Sequence, residues 1–214
     1  MFFLKKYLHK VGSSIVLIVL LSGMGACNKQ LEMDSTRVST EAASWDSYDD
    51  ARSGLISIYG LFRAALAADN RHWVIGDLRS GDFAAVSRPD LKAVISGNLG
   101  ASYELIDKVS NWRRFYAVIN ACNVFIEKSE GCLVDARYTK AYHSLDVAQA
   151  RAMRAFTYFY MVRIWGDVPL VTTSGEGKDF PQVARTDKNA VLSFAEKELL
   201  AAAPNLPYLY SVSG

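Results

Sequence analysis

Cysteine and histidine are scarce in this sequence, with three of each among 214 residues. His9 lies near the start, and His72 and His143 are far apart, so no spacing typical of metal ligands occurs. The sequence therefore predicts no metal site, and solvated or hydrogen-bonded histidines instead. It also contains no nucleophile elbow and no cofactor motif, so we expect no catalytic residues and no cofactor.

The cysteines offer little for a disulfide framework, because only Cys122 and Cys132 follow Cys27. An exported chain could oxidise this pair. On one helix, however, ten residues span ~15 Å, which is far beyond disulfide geometry. A turn near Gly131 would relax that objection. The spacing favours two unpaired, buried thiols.

The sequence lacks the excess of basic residues that nucleic-acid binding requires. Its formal net charge is +2, and Lys5, Lys6 and Lys10 precede Cys27. Without these three lysines the remaining 188 residues carry a net charge of −1. A nearly neutral chain gives no electrostatic reason to expect a nucleic-acid partner.

The N-terminal residues have the organisation of a secretory leader. Three lysines precede an apolar run at residues 11–21, and small residues follow up to Cys27. The apolar run is shorter than the roughly 20 residues of a transmembrane helix. We predict a lipoprotein signal peptide over residues 1–26, lipidation such as palmitoylation at Cys27, and a polar tether over residues 27–44. A plain cleaved leader with an incidental cysteine, or a short uncleaved anchor, is the alternative.

Apolar residues recur every three or four positions in four long segments, which predicts four helices. They cover residues 45–68, 103–128, 137–165 and 187–203. Ser44 and Thr186 are the predicted N-caps of the first and fourth helices, and Gly166 and Pro204 end the last two. Residues 69–102 contain four glycines and no sustained period, which indicates an irregular insertion with one or two short helical turns.

These elements predict an all-α fold of antiparallel helix pairs, with a long irregular insertion between the first two long helices. Two A-x-x-x-F units, at residues 152–156 and 155–159, resemble the second helix of a tetratricopeptide unit.

Three blocks together resemble the SusD/RagB family of outer-membrane nutrient-binding lipoproteins. They are the leader ending at Cys27, residues 112–123 (WRRFYAVINACN) and residues 150–171 (ARAMRAFTYFYMVRIWGDVPLV). The resemblance implies that residues 45–214 form the family's N-terminal helical domain, tetratricopeptide-like, and that the C-terminal part of the family fold is absent.

Most of the matching residues have a structural interpretation. Asn120 and Asn123 on a largely apolar helix need partners if they are buried, and holding a neighbouring helix end would provide them, with contact to a ligand as the alternative. Arg151 and Arg154 lie one turn apart and repel each other unless each finds a carboxylate or carbonyl. The sequence favours buried bidentate pairing, with Asp167 as one candidate partner, over ligand binding.

The resemblance also implies a function. Such a lipoprotein faces the cell exterior from the outer membrane, binds oligosaccharide or another polymer-derived nutrient, and delivers it to a SusC-like TonB-dependent transporter. The insertion would supply the ligand contacts; its candidate residues are Trp73, Arg79, Asp82, Asn98 and Tyr103.

Two other functions are alternatives to ligand capture. A glycosidase needs two carboxylates at a defined separation, and nothing in the sequence pairs Asp77, Asp82 or Glu104, so no enzyme is expected. The alternative is a helical-repeat adaptor that binds only the transporter or another protein.

Overall fold

The structure is a computed structural model that describes residues 45–85, 87–175 and 183–207. Its α-helices are α1 (Tyr48–Ala67), α2 (Arg71–Ile75), α3 (Pro89–Ile95), α4 (Glu104–Ser110), α5 (Arg113–Lys128), α6 (Lys140–Trp165) and α7 (Lys188–Ala202). Two short strands, β1 (Val168–Pro169) and β2 (Arg185–Thr186), pair antiparallel with Val168 opposite Thr186. The predicted leader, the tether, Cys27 and the predicted cap Ser44 lie outside the described residues.

Helix α1 begins with a capping box. The Asp50 backbone N–H donates to Ser47 Oγ at 3.1 Å, and the Ser47 N–H donates to Asp50 Oδ2 at 3.1 Å. Ser47, not Ser44, is therefore the N-cap. The predicted apolar stripe is confirmed; its buried members are Ala51, Leu55, Ile58, Phe62 and Ala65.

The helix predicted over residues 103–128 is broken, which corrects the sequence interpretation. Helix α4 ends at Ser110, and α5 begins at Arg113. Asn111 is extended, with φ −80° and ψ 114°, and its Oδ1 accepts the Arg113 N–H at 2.9 Å. This Asx turn ends one helix and starts the next. The apolar period continues through the break, so periodicity alone did not reveal it.

The two later helices begin after the positions predicted for them. Helix α6 starts at Lys140, with Thr139 as its cap, because Asp135 Oδ1 accepts the Arg137 N–H at 2.9 Å in a preceding turn. It ends at Gly166, as predicted, where φ is 68°. Helix α7 is capped by Asp187 rather than Thr186; Asp187 Oδ1 accepts the Asn189 N–H at 2.9 Å.

Aromatic contacts show that α1 and α5 are antiparallel. Trp45, just before α1, lies 5.7 Å from Phe125 near the end of α5, measured between ring centroids. Phe62, near the end of α1, lies 6.4 Å from Phe115 near the start of α5.

Helices α5, α6 and α7 continue the antiparallel arrangement. Phe115 at the start of α5 lies 5.6 Å from Trp165 at the end of α6. In the same way Tyr158 of α6 lies 5.8 Å from Phe194 of α7, whereas Arg154 contacts Glu198 one turn further along α7. These helices enclose the main core, and the predicted all-α fold of antiparallel pairs is confirmed.

The segment between α1 and α5 has a small core of its own. Its buried residues come from α2, α3, α4 and the 3₁₀ turn Asp77–Arg79: Val74, Leu78, Ala93, Val94, Ile106 and Val109. The predicted short helical turns are confirmed as α2 and α3. The separate apolar cluster was not predicted. The insertion predicted over residues 69–102 is longer in the structure, because α4 is separate from α5, and the name is used from here on for residues 68–112.

Cys122 and Cys132 are buried and unpaired, as the spacing favoured. Burial raises the pKa of the Cys122 thiol to about 12. Among the helices of the described residues, none is both long enough and apolar enough to cross a membrane.

Candidate functional site

An exposed pair of aromatic rings is the main feature of the insertion surface. Trp73 of α2 and Phe83 of the following loop meet edge to face, with ring centroids 5.8 Å apart and planes at 80°. Trp73 is 39% exposed and Phe83 is 43% exposed. Rings buried in a core would be shielded from water, so this pair leaves apolar surface available for a ligand.

The chain enters this region through a turn that suits its residues. Asp69 and Asn70 have φ values of 57° and 52°, in the left-handed region that Asp and Asn tolerate better than most residues. The turn separates α1 from the five-residue α2, which carries Trp73. After α2, a Cβ at Gly76 would lie 2.7 Å from the His72 carbonyl oxygen, so a residue without a side chain is needed.

Two of the predicted polar residues lie between the two rings in sequence. Arg79 is exposed and ends the 3₁₀ turn Asp77–Arg79. Asp82 is exposed, and its Oδ2 accepts a hydrogen bond from Ser80 Oγ at 3.0 Å while its N–H donates to the same oxygen. Asp82 therefore shapes the loop, and its carboxylate still faces water.

The other two predicted residues occupy the connection from α3 to α4. Asn98 is exposed, and its backbone N–H donates to the Ala93 carbonyl at 2.8 Å, beside Gly97 with φ 77°. This is the end of α3 in a Schellman-type turn. Tyr103 is half-buried and packs against the small core of the insertion. Its ring has a structural role in addition to any contact with a ligand.

All five predicted residues thus lie on segments that surround the small core. The structure adds a direct contact between Trp73 and Phe83. Phe83 was not among the predicted residues. Phe83 follows Gly81 and Asp82 in a polar turn, and a large aromatic residue in that context was the available signal.

Polar residues of the two helical blocks that resemble the family form a largely buried network. Arg154 is buried, and its Nε donates to Glu198 Oε2 at 3.0 Å while its Nη1 donates to Asn123 Oδ1 at 2.7 Å. Arg151 Nη1 donates to Glu198 Oε1 at 3.0 Å. The predicted buried pairing is confirmed for Arg154, whereas Arg151 makes one hydrogen bond and its side chain is 36% exposed. Asp167 is not the partner, because its Oδ1 accepts the Lys188 N–H at the start of α7.

The two asparagines of α5 hold the chain that leaves α6. Asn123 Nδ2 donates to the Thr173 carbonyl at 2.9 Å, and Asn120 Oδ1 accepts the Gly175 N–H at 3.0 Å. Tyr158 Oη also donates to the Val171 carbonyl at 2.8 Å and accepts the Val171 N–H. The asparagines have a structural role, as predicted, but they hold the chain that follows α6 rather than the end of a neighbouring helix.

The two described histidines, His72 and His143, differ in their surroundings. His72 Nδ1 lies 3.5 Å from Tyr160 Oη, at hydrogen-bond distance. His143 borders a shallow cavity of 180 Å³ between α6 and the end of α7, together with Arg151 and Asn205. Its Nε2 is buried and has no hydrogen-bond partner in the described residues, contrary to the sequence prediction. The described residues contain no group of three or more side chains suited to hold a metal ion.

Comparison with known proteins gives one consistent group of relatives. No family model matches the chain. A SusD-like protein from Formosa agariphila is 27% identical over 172 residues, covering 79% of this chain and 32% of that protein. The crystal structure of a SusD superfamily protein from Bacteroides thetaiotaomicron has a TM-score of 0.75 and 54% sequence identity, covering 79% of this chain and 38% of that protein.

A laminarin-binding SusD-like protein has a TM-score of 0.63 at 24% identity, covering 78% of this chain and 36% of that protein. At this level of identity the similarity concerns the fold. The chain thus spans between 32% and 38% of the length of these three proteins.

Proposed function

The chain belongs to the SusD-like family, and from this premise we propose that the protein binds oligosaccharide at a surface that includes Trp73 and Phe83. One observation carries the proposal: two aromatic rings in mutual contact are exposed on the insertion. The family's carbohydrate-binding members, such as the laminarin-binding neighbour, support the chemical class of the ligand.

The chemistry of the surface fits a sugar. Pyranose rings have apolar C–H faces, which pack against aromatic rings, and hydroxyl groups, which need hydrogen-bonding partners. Trp73 and Phe83 offer the aromatic surface, and the exposed side chains of Arg79 and Asp82 offer a donor and an acceptor nearby in sequence. Ligand sites commonly combine an apolar lining with a few polar groups that fix orientation. Asn98 and Tyr103 remain proposed contacts at the α3–α4 connection.

Calorimetric titration with laminarin-derived and xyloglucan-derived oligosaccharides tests the proposal. We expect Trp73→Ala and Phe83→Ala each to weaken binding by about tenfold, equivalent to ~1.4 kcal/mol, because each removes apolar contact with the sugar face. Tyr142→Ala is the matched control, since Tyr142 is also exposed but lies at the start of α6. Equal affinity of the Trp73 variant and the wild type would reject this surface.

The protein acts in this proposal as a binding protein and not as an enzyme. Chromatography of the oligosaccharide after prolonged incubation should recover it intact. Products shorter than the added oligosaccharide would contradict this part of the proposal if they also form with Trp73→Ala and are lost when Asp77, Asp82 or Glu104 is replaced.

Lipidation at Cys27 and delivery to a transporter complete the proposed function. A lipid-anchored protein on the outer face of the outer membrane would raise the local ligand concentration beside a SusC-like TonB-dependent transporter, so weak affinity would suffice. We expect Cys27→Ser to move the protein from membrane fractions to soluble ones without loss of folding. Wild-type levels in the membrane fraction would argue against the anchor.

The adaptor alternative gives a different pattern in the same experiments. Co-purification with the transporter, without affinity for any oligosaccharide and without an effect of Trp73→Ala, would favour a helical-repeat adaptor.

A further inference from the structure

A buried arginine joins the insertion to the main helices. Arg71 is the first residue of α2, and only 2% of its surface is exposed. Its guanidinium donates four hydrogen bonds, all to backbone carbonyls. The distances are 3.0 Å to Ala65, 2.7 Å to Lys108, 3.1 Å to Val109 and 3.0 Å to Asn111.

The accepting carbonyls belong to the ends of two helices. Ala65 lies in the last turn of α1, and Lys108 and Val109 lie in the last turn of α4. Carbonyls at helix C-termini lack partners within the helix and carry partial negative charge, so a cation stabilises them. Arg71 therefore acts as a shared C-terminal cap for α1, which lines the main core, and α4, which lines the small core.

No carboxylate hydrogen-bonds to this guanidinium within the described chain. Burial lowers the pKa of Arg71, while the nearby charge of Asp69 acts in the opposite direction. The guanidinium also lies 5.5 Å from the centroid of the Phe115 ring at the start of α5. A cation in such surroundings is costly to bury, and its geometry is fixed by four acceptors and one ring.

We propose that Arg71 is a positioning residue that fixes α2, and with it the Trp73–Phe83 pair, in the orientation used for binding. This inference rests on the proposed function. Trp73 follows Arg71 by two residues within a helix of only five residues. Two further contacts reach the main helices at the same junction: His72 with Tyr160, and Trp165 Nε1 with the Ser110 carbonyl at 2.9 Å. Neither bridges both helix ends, as Arg71 does.

The first measurement reads the ring pair without any ligand. The protein contains four tryptophans, so 5-fluorotryptophan labelling gives four ¹⁹F resonances, and Trp73→Phe assigns that of Trp73. Arg71→Lys keeps the charge but replaces the planar five-donor fork with a single ammonium group, which cannot reach both helix ends. We expect a shifted or broadened Trp73 resonance in this variant while circular dichroism shows native helix content.

The second measurement is the affinity for a laminarin-derived oligosaccharide. We expect Arg71→Lys to weaken binding by at least about fivefold, and the exposed α1 variant Arg63→Met to stay within about twofold of the wild type. Arg71→Gln is the second variant if the lysine variant does not fold, because its amide can cap one helix end.

The outcomes separate this inference from the proposed function. An unchanged Trp73 resonance in a folded Arg71 variant overturns the positioning role. A changed resonance with unchanged affinity, in a protein whose binding depends on Trp73, also overturns it. If Trp73→Ala leaves binding unaffected, the proposed binding surface fails, and the ¹⁹F spectra still decide whether Arg71 orders the ring pair.

Discussion

The buried network around Glu198 makes a quantitative prediction about stability. Glu198 accepts from Arg151 and from Arg154, and Arg154 also donates to Asn123 Oδ1 and to the Thr172 carbonyl. Both Arg154 and Glu198 are buried, whereas the Arg151 side chain is 36% exposed. Removal of one partner from a buried ion pair typically costs about 3–5 kcal/mol, because it leaves a charge in surroundings of low polarity.

The two single variants should differ in their cost. In Arg154→Met, Glu198 keeps Arg151, so we expect the free energy of unfolding to fall by about 3 kcal/mol, the lower end of that range. In Glu198→Gln, Arg154 loses its counter-charge inside the protein, and we expect a loss of about 4 kcal/mol. The double variant should cost about 2 kcal/mol less than the sum of the two, since the residues interact directly.

Urea unfolding, followed by circular dichroism and tryptophan fluorescence, measures these differences if the two signals coincide. Arg63→Met is the matched control, because it removes an exposed arginine from α1 and should change stability by no more than about 0.5 kcal/mol. A loss below about 1 kcal/mol in Arg154→Met, or strictly additive effects in the double variant, would refute this account of the network.

Four further predictions concern separate features. Gly131→Ala should lower the free energy of unfolding by about 1–3 kcal/mol, because its Cβ would lie 2.5 Å from the Trp45 carbonyl oxygen. Gly60→Ala should raise the free energy of unfolding by roughly 0.5–1 kcal/mol, since nothing lies within 4 Å of the Cβ that alanine would add on α1. Urea midpoints test both glycine variants. A change of the same sign in the two variants would contradict the packing argument. Burial raises the pKa of Asp146, so the folded state holds its proton more tightly than the unfolded state. The contribution of the protonated Asp146 to stability is present below the ordinary carboxyl pKa and is lost as pH rises through the raised pKa. Asp146→Asn should therefore weaken the pH dependence of the urea midpoint over that range. An unchanged pH dependence would contradict this assignment to Asp146. Burial raises the pKa of the Cys122 thiol to about 12, so Cys122 should resist iodoacetamide in the native protein and react after denaturation. Mass spectrometry measures the extent of modification in each state.

The long helices could be predicted because each has one apolar stripe that recurs over several turns. The stripe of α1 is buried as expected, and Gly166 ends α6. The errors lie where short polar side chains compete with the helix. Asn111 ends α4 by accepting the Arg113 N–H, although the apolar period continues through it. Ser47 and Asp187 cap their helices in place of neighbours with equally suitable side chains, and sequence alone does not rank such neighbours.

The ion-pair partner of Arg151 and Arg154 could not be predicted from the sequence for a different reason. The spacing of Arg151 and Arg154 predicted that each needs a carboxylate or carbonyl partner. The choice between Asp167 and Glu198 depends on how α7 is rotated against α6, which is a tertiary property. Asp167 is close in sequence but is used to hold the Lys188 N–H, and Glu198 on α7 faces the arginines.

The residues that identify the family and the residues proposed to bind a ligand are separate in this structure. Asn123, Arg154 and Tyr158 hold the helices and the chain that follows them. Trp73 and Phe83 lie in a segment with its own small core, which borders the main core at the Arg71 junction. The helical framework therefore rests on residues other than the exposed rings of the insertion. For this reason the apolar pattern of the framework predicts the helices, whereas the proposed ligand contacts at the insertion have to be tested by measurement.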